Sequence, residues 1–490
     1  MTTQNQVGVQ DLAGATALVA VLQAMGKEPR GTVNVQREGD QIILPKGMTY
    51  KEARTWLQRK EEEEEQEVAI HEEVEAFVLE GAVAFHKAIA KKYGWSGLEP
   101  TPGFFGPKPP TMIGVEVAPG TTMQIPWGRV TIPNIAGWLG TSFVPKGENR
   151  YIFVINGQVK RKNLDDVREL ARLTRELVRT DSIYRGKAVQ IQFPRQEEQF
   201  DVTACPKFLD LTSIREEELI FPEKIMDQVQ TSLFNVIEHT AACRRHRIPL
   251  KRGILLEGPY GTGKTLTANV AAKKCEENGW TFIYLKDVDQ LAQAVAFAQM
   301  YQPAMIFSED IDQVLSGDRD SDMNQILNIV DGIDSKGTEI VIVLTTNYVE
   351  KIDPAMLRPG RLDAVIPVRH PDADAAQRLI RLYGRGLIPE TEDLTPVGER
   401  LAGKTPAVLR EVVERSKLAA VGRLGRQGKN QAELNITTED LLSASESIMS
   451  HLELIANKPK DERTPIEQLG DSLGKTLADR LDHAIKNHKD

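Results

Sequence analysis

The chain has 490 residues, with 61 Lys and Arg against 70 Asp and Glu and a formal net charge of −9. At 41% apolar and 27% charged, it has length for roughly two to four domains and excludes a collagen, a disulfide scaffold and a wholly disordered chain. The negative balance also argues against a general nucleic-acid binder, because phosphate is repelled unless basic residues cluster locally.

No apolar run reaches the roughly 18 residues that a membrane-spanning helix needs. Residues 13–25 are apolar, but Asp11 precedes them and no basic segment does. They are expected to form a short buried or interfacial helix ending at Gly26, not a signal peptide. Cys205, Cys243 and Cys275 are widely spaced and make neither a disulfide frame nor a zinc ligand set. The histidines contain no HExxH pattern. A reducing cytoplasm and no catalytic zinc are the expectations.

Residues 1–46 carry little pattern and are set apart as an N-terminal segment. Over 47–95, Ile70, Val74, Phe77, Val78, Phe85 and Ile89 recur at three- and four-residue steps, which predicts one long helix or a helical hairpin. The glutamates 61–65 inside it, flanked by Arg59 and Lys60, read as a solvated face. Residues 94–110 are dense in glycine and proline and predict a linker. Short β-type runs follow at 112–117, 128–132, 151–155 and 188–193. Asn156-Gly157 predicts a hairpin turn after the third run. A helix is expected over 163–180, with Leu170, Leu173 and Leu177 on one side. Together 96–215 reads as a small α+β domain with no chemical motif.

Residues 253–256 form an apolar strand run that leads into Gly258-Pro259-Tyr260-Gly261-Thr262-Gly263-Lys264-Thr265 and then a helical stretch. This is GxxxxGK[ST] between a strand and a helix, the pattern that wraps backbone N–H groups around a polyanion. Lys264 is placed to reach the β- and γ-phosphates of a nucleoside triphosphate, and the Thr265 hydroxyl to ligate Mg²⁺. A second strand run, 304–307, ends in Ser308-Glu309-Asp310-Ile311-Asp312. Carboxylates at the C-terminal end of a parallel strand face the ligand crevice, where they serve a magnesium shell or an attacking water. Asp312 reads as a helix start. A third strand run, 340–344, ends in Thr345-Thr346-Asn347.

In order along the chain stand GPYGTGKT, AMIFSEDID, Asp331-Gly332-Ile333, IVIVLTTN and, at 353–363, DPAMLRPGRLD. Together they resemble the AAA clade of the AAA+ ATPases over about residues 216–450. The resemblance implies an α/β fold: a doubly wound parallel-sheet P-loop domain at 216–370, then a helical lid at 371–453. A charged helical tail at 454–490 would close the chain. It implies ATP and Mg²⁺ as cofactors. It also implies a homo-oligomer, a hexamer or a helical assembly, that remodels a macromolecular client. On the family pattern the nucleotide is bound by Gly258, Pro259, Tyr260, Gly261, Thr262, Gly263, Lys264, Thr265 and Leu266. The metal falls to Thr265 and Glu309, and catalysis to Glu309, Asp310, Asn347, Arg358 and Arg361. Asn347 would place the attacking water, and the two arginines would reach the γ-phosphate of the neighbouring subunit.

Three departures accompany the resemblance. Glu309 stands where the family carries its magnesium-associated Asp, and Asp310 where it carries the catalytic Glu, so the two carboxylates are exchanged. Asp310 is one methylene shorter than Glu, and slowed or re-geared hydrolysis is the expectation. Ile333 replaces the usual Phe of a motif that reports nucleotide state between subunits. The aromatic loop of threading motors has no counterpart: the residues from Lys286 to Gln302 read as one helix, and no glycine falls between Gly279 and Gly317. The segment 313–325, where a second central loop would lie, is short and acidic. At 403–407 the lid turn carries no arginine, which agrees with the AAA clade.

These features leave two readings: a remodelling ATPase without a gripping pore loop, or an ATP-gated assembly or scaffold with slow hydrolysis. Basic clusters at Arg244, Arg245, Arg247, Lys251 and Arg252, and at Arg423, Arg426 and Lys429, are read as surface charge in preference to a nucleic-acid interface.

Overall fold

The computed structural model describes residues 36–38, 41–43, 48–100, 103, 106–146, 151–193, 206–311, 338–352, 362–426 and 434–456. The chain divides into two compact units: Met1–Tyr184 with Pro194–Cys205, and Arg185–Phe193 with Pro206–Asp490.

In the first unit β1 (Gln36–Glu38) pairs with β2 (Gln41–Ile43). Then come α1 (Tyr50–Glu64), β3 (Glu67–Val74), α2 (Val78–Tyr93), β4 (Gly97–Leu98), the hairpin of β5 (Thr111–Ala118) and β6 (Thr121–Trp127), β7 (Arg129–Thr131), β8 (Gly137–Pro145), β9 (Tyr151–Lys160) and α3 (Leu164–Thr180). The main sheet is antiparallel in the order β3-β9-β8-β7-β4. A capping box between Thr49 and Glu52 starts α1.

The long helix or helical hairpin expected over 47–95 is thus two helices with a strand between them. The reason is an aliasing of periods. Ile70 and Val74 are four apart, a step that stays on one face of a helix and equally on one face of a strand. Both are buried, and from Glu67 to Glu72 exposed positions alternate with more buried ones as in a half-buried strand. Asn156-Gly157 does not turn a hairpin either. The ladder runs straight through it, with Gly157 opposite Leu139 on one side and Ile70 on the other. A Cβ at 157 would lie 2.4 Å from the Trp138 carbonyl oxygen, so the glycine serves close strand approach, not a turn.

His86, on α2, is buried against Phe85, and its Nε2 lies 2.8 Å from the Pro126 carbonyl oxygen. Burial lowers its pKa from 6.5 to about 4. The fold keeps this ring neutral while the unfolded chain takes up a proton. Stability is therefore full above about pH 6.5 and declines as pH falls toward about 4. The loss is of the order of 3 kcal/mol. In denaturation of the full chain followed by tryptophan fluorescence, His86→Gln is expected to lose less stability than wild type between pH 7 and about pH 4.5. Equal losses would show that other groups take up those protons.

In the second unit seven strands form one sheet in the order β11-β10-β13-β14-β15-β12-β16. They are β10 (Ala188–Ile191), β11 (Lys207–Phe208), β12 (Arg252–Glu257), β13 (Thr281–Leu285), β14 (Ala304–Ser308), β15 (Ile340–Thr346) and β16 (Ala364–Pro367). Every pairing is parallel except β10 with β11. The segment at 188–191, assigned from sequence to the α+β domain, pairs instead with β13 of this sheet.

Before β12 lie α4 (Glu223–Val229), a π-helical turn (Gln230–Phe234), α5 (Asn235–Glu238) and α6 (Thr240–Arg245); α7 (Lys264–Glu277) follows β12 and α8 (Leu291–Met300) follows β13. One sheet face, with Ile254, Leu256, Phe282, Met305, Phe307, Val341 and Val343, packs with Val229, Phe234, Ala268 and Ala272. Leu255, Ile283, Ile306, Ile342 and Leu344, on the other face, are equally buried. Burial on both faces explains why these strands read as unbroken apolar runs. The described residues close on α9 (Ala373–Gly384), α10 (Thr395–Leu401), α11 (Pro406–Arg426) and α12 (Thr438–Ala456), which share a core around Leu379, Val397, Val412 and Leu441; the expected charged tail lies outside them from 457 onward. The unit is an α/β P-loop fold with an added helical cluster. No helix among the described residues is long and apolar enough to cross a membrane.

Candidate active site

The strand order brings the C-terminal ends of β12, β14 and β15 together. There β12 has neighbours on both sides that follow it by long connections, the arrangement that opens a crevice for ligands in parallel sheets. The loop after β12 passes under the end of β16. A Cβ at Gly258 would meet the Val368 carbonyl oxygen at 2.0 Å, so no other residue allows this crossing. Gly263, at φ 109°, starts α7. The first turn of that helix then carries Lys264 and Thr265.

Lys264 is buried, and its Nζ donates to the carbonyl oxygens of Gly258 (2.7 Å) and Pro259 (2.9 Å) and to Asn347 Oδ1 (2.8 Å). Asn347 Nδ2 in turn donates to Asp310 Oδ1 at 2.8 Å. Lysine only donates and a carboxylate only accepts, so Lys264 and Asp310 set the amide orientation of Asn347. Asp310 adopts a left-handed backbone, φ 49°, with its N–H donating to Thr345 Oγ1 at 2.9 Å. Asp and Asn tolerate that conformation better than longer side chains, which gives a local reason for the short acid at this position. The Thr265 hydroxyl donates to Glu309 Oε1, and the Tyr284 hydroxyl donates to Glu309 Oε2 at 2.9 Å. Burial, and then the bond to Glu309, push the Tyr284 pKa well up, so the phenol remains a donor.

An open cleft of about 320 Å³ is lined by Tyr260, Gly261, Gly263, Lys264, Thr265, Glu309, Asp310, Thr345 and Asn347. One ammonium, a helix N-terminus and two carboxylates therefore share a single concave site. The positive groups suit a polyphosphate. Thr265 and Glu309 juxtapose two hard oxygen donors, which fit Mg²⁺, an ion that takes few protein ligands and completes its shell with phosphate and water. When bound, the ion would neutralise charge on the transferred phosphoryl group.

Of the residues singled out from sequence, Lys264, Thr265, Glu309, Asp310 and Asn347 come together here with the loop. Pro259 and Thr262 shape the loop from within, the Thr262 hydroxyl donating to the Pro259 carbonyl at 2.9 Å. Leu266 lies elsewhere. It lines a larger adjoining crevice of about 1210 Å³ with Thr212, Tyr383 and Arg410. Arg358 and Arg361, and the motif Asp331-Gly332-Ile333, lie outside the described residues, as do Asp312 and the segment 313–325.

Sequence reading missed three contributors. Tyr284 reaches Glu309 only because β13 pairs with β14. Thr345 presents its hydroxyl to the Asp310 N–H. Glu257, buried at the end of β12, accepts both terminal nitrogens of Arg369 and ties the loop's entry to the exit of β16. Register supplies the first of these, and nothing local in the sequence signals it.

Comparison with known proteins agrees with this geometry. Residues 254–370 match the family described as ATPase family associated with various cellular activities (AAA). The chain is 30% identical to the ATP-dependent zinc metalloprotease FtsH 2 of Sphaerobacter thermophilus, over 44% of this chain and 35% of that protein. It is 27% identical to the 26S proteasome regulatory subunit 8 homolog of Schizosaccharomyces pombe, over 46% of this chain and 59% of that protein. It is 33% identical to the ATPase family AAA domain-containing protein 2 of Mus musculus, over 36% of this chain and 19% of that protein. The match thus spans between 19% and 59% of the length of these relatives. Loop, carboxylate pair, polar strand end and family match converge on one conclusion: the chain carries an AAA-type ATPase core, matched over residues 254–370.

Proposed function

We propose that the chain hydrolyses ATP as a homo-oligomer, a hexamer or a helical assembly, and uses the cycle to remodel a macromolecular partner. The observation that carries this reading is the linked set Lys264–Asn347–Asp310 beside Thr265–Glu309. The triphosphate would lie on the loop 258–265, with the nucleoside end directed toward Leu266. Glu309 would belong to the magnesium shell, and Asp310 and Asn347 would face the attacking water. Lys264 holds the phosphates in place, and Asp310 takes the proton that the water gives up.

Threading by an aromatic pore loop is not part of this proposal. Between Leu285 and Pro303 the chain forms a 3₁₀ turn and α8, and its aromatics, Phe297 and Tyr301, are buried against each other at 4.6 Å between ring centroids. The client would then be gripped by the first unit. Slow, assembly-timing hydrolysis is the second reading. It is favoured by the exchanged carboxylates, with the shorter acid on a left-handed backbone at 310. A nucleic-acid partner has less support, because Arg244 is paired with Glu339 and Arg423 with Asp440. The free, buried thiols of Cys243 and Cys275 fit the cytoplasm.

Steady-state ATP turnover as a function of chain concentration tests the oligomeric half of the proposal. Specific activity is expected to rise with concentration. Arg361→Ala should bind ATP normally and turn it over about tenfold more slowly or worse, with Arg358 still in place. A concentration-independent rate, or an unaffected variant, would remove the neighbour's arginines from the reaction.

A further inference from the structure

The magnesium-side carboxylate, Glu309, is held at both oxygens. Thr265 occupies Oε1, and the Tyr284 hydroxyl occupies Oε2. The sheet explains how a residue on a neighbouring strand can do this. Tyr284 on β13 is directly opposite Phe307 on β14. Their rings pack at 5.7 Å between centroids. Residue 309 lies two places beyond 307 and one past the end of β14, where strand geometry carried on by one residue would put it on the same face about 6.6 Å further along. A tyrosine ring laid along the strand covers that distance, so its hydroxyl arrives at the carboxylate while its ring rests on Phe307.

Glutamate at 309 has one more rotatable bond than aspartate. Its carboxylate must be kept from swinging if it is to meet a metal shell at a set point. An oriented hydrogen bond to the oxygen that Thr265 leaves open supplies that restraint. For packing alone phenylalanine would serve, since the flanking Phe282, Ile283 and Leu285 are apolar and buried.

We propose that Tyr284 is a positioning residue for Mg²⁺·nucleotide, fixing the Glu309 carboxylate and compensating for glutamate at this position. This rests on the reading of the cleft as an ATP–magnesium site. The test is Tyr284→Phe in the full chain, which keeps the ring on Phe307. A fluorescent ATP analogue is titrated at a series of Mg²⁺ concentrations and again with the metal chelated. Tyr284→Phe is expected to raise the Mg²⁺ concentration for half-maximal tightening by about tenfold, with metal-free affinity unchanged. In a Glu309→Asp background the same substitution should have little effect, because the shorter acid withdraws from the phenol. An unchanged or lowered Mg²⁺ requirement in Tyr284→Phe, or an equal shift in both backgrounds, overturns the inference. Wild-type chain that binds no analogue at any Mg²⁺ concentration would instead remove the ATP-site reading on which the inference depends.

Discussion

Lys264→Ala is expected to weaken ATP binding by about 100-fold or more, measured by titration of a fluorescent nucleotide analogue. Among the described residues the ammonium is the one cationic side chain lining the cleft, and it is buried against the loop carbonyls. Charge-assisted hydrogen bonds to phosphate are each worth roughly 1.5–3 kcal/mol, so losing them removes most of the specific affinity. Truncation also removes the bond that Asn347 Oδ1 accepts from Lys264 at 2.8 Å. The variant should melt close to wild type, because the loop carbonyls remain open to the cleft. Retained affinity at an unchanged melting temperature would mean that the polyphosphate does not lie on this loop.

Asp310→Asn is expected to leave ATP affinity within about twofold and to slow hydrolysis by about 10²–10⁴-fold. The substitution is nearly isosteric, and asparagine tolerates the left-handed backbone at φ 49° as aspartate does. The side-chain oxygen still accepts from Asn347 Nδ2, so the local scaffold is kept. What is lost is the capacity to accept a proton from water. A turnover equal to wild type would take Asp310 out of the chemistry, whatever the absolute rate. A large loss in Asp310→Asn, with wild-type turnover already slow, would favour the assembly-timing reading over the motor.

The nucleotide core is legible because its chemistry is contiguous. Residues 258–265 carry glycines, lysine and threonine in one short stretch, and each must be where it is for a strand to turn into a helix around phosphate. The strands behind it are legible because burial on both faces leaves continuous apolar runs. The first unit is less so. Its Ile70 and Val74 keep a spacing that helix and strand share, and Asn156-Gly157 is as acceptable to a crowded ladder as to a turn.

The linear sequence by itself determined the phosphate loop, the acidic pair at 309 and 310, the strand-end amide at 347 and the resemblance to an AAA-type ATPase core, because each of these is carried by short runs of residues adjacent in the chain. Only the tertiary structure decided that the strand at 188–191 joins the nucleotide sheet, that 67–74 is a strand, and that Tyr284 and Thr345 serve the two carboxylates. Those outcomes depend on which strands become neighbours and in what register, and that is set by how a whole unit buries its apolar faces.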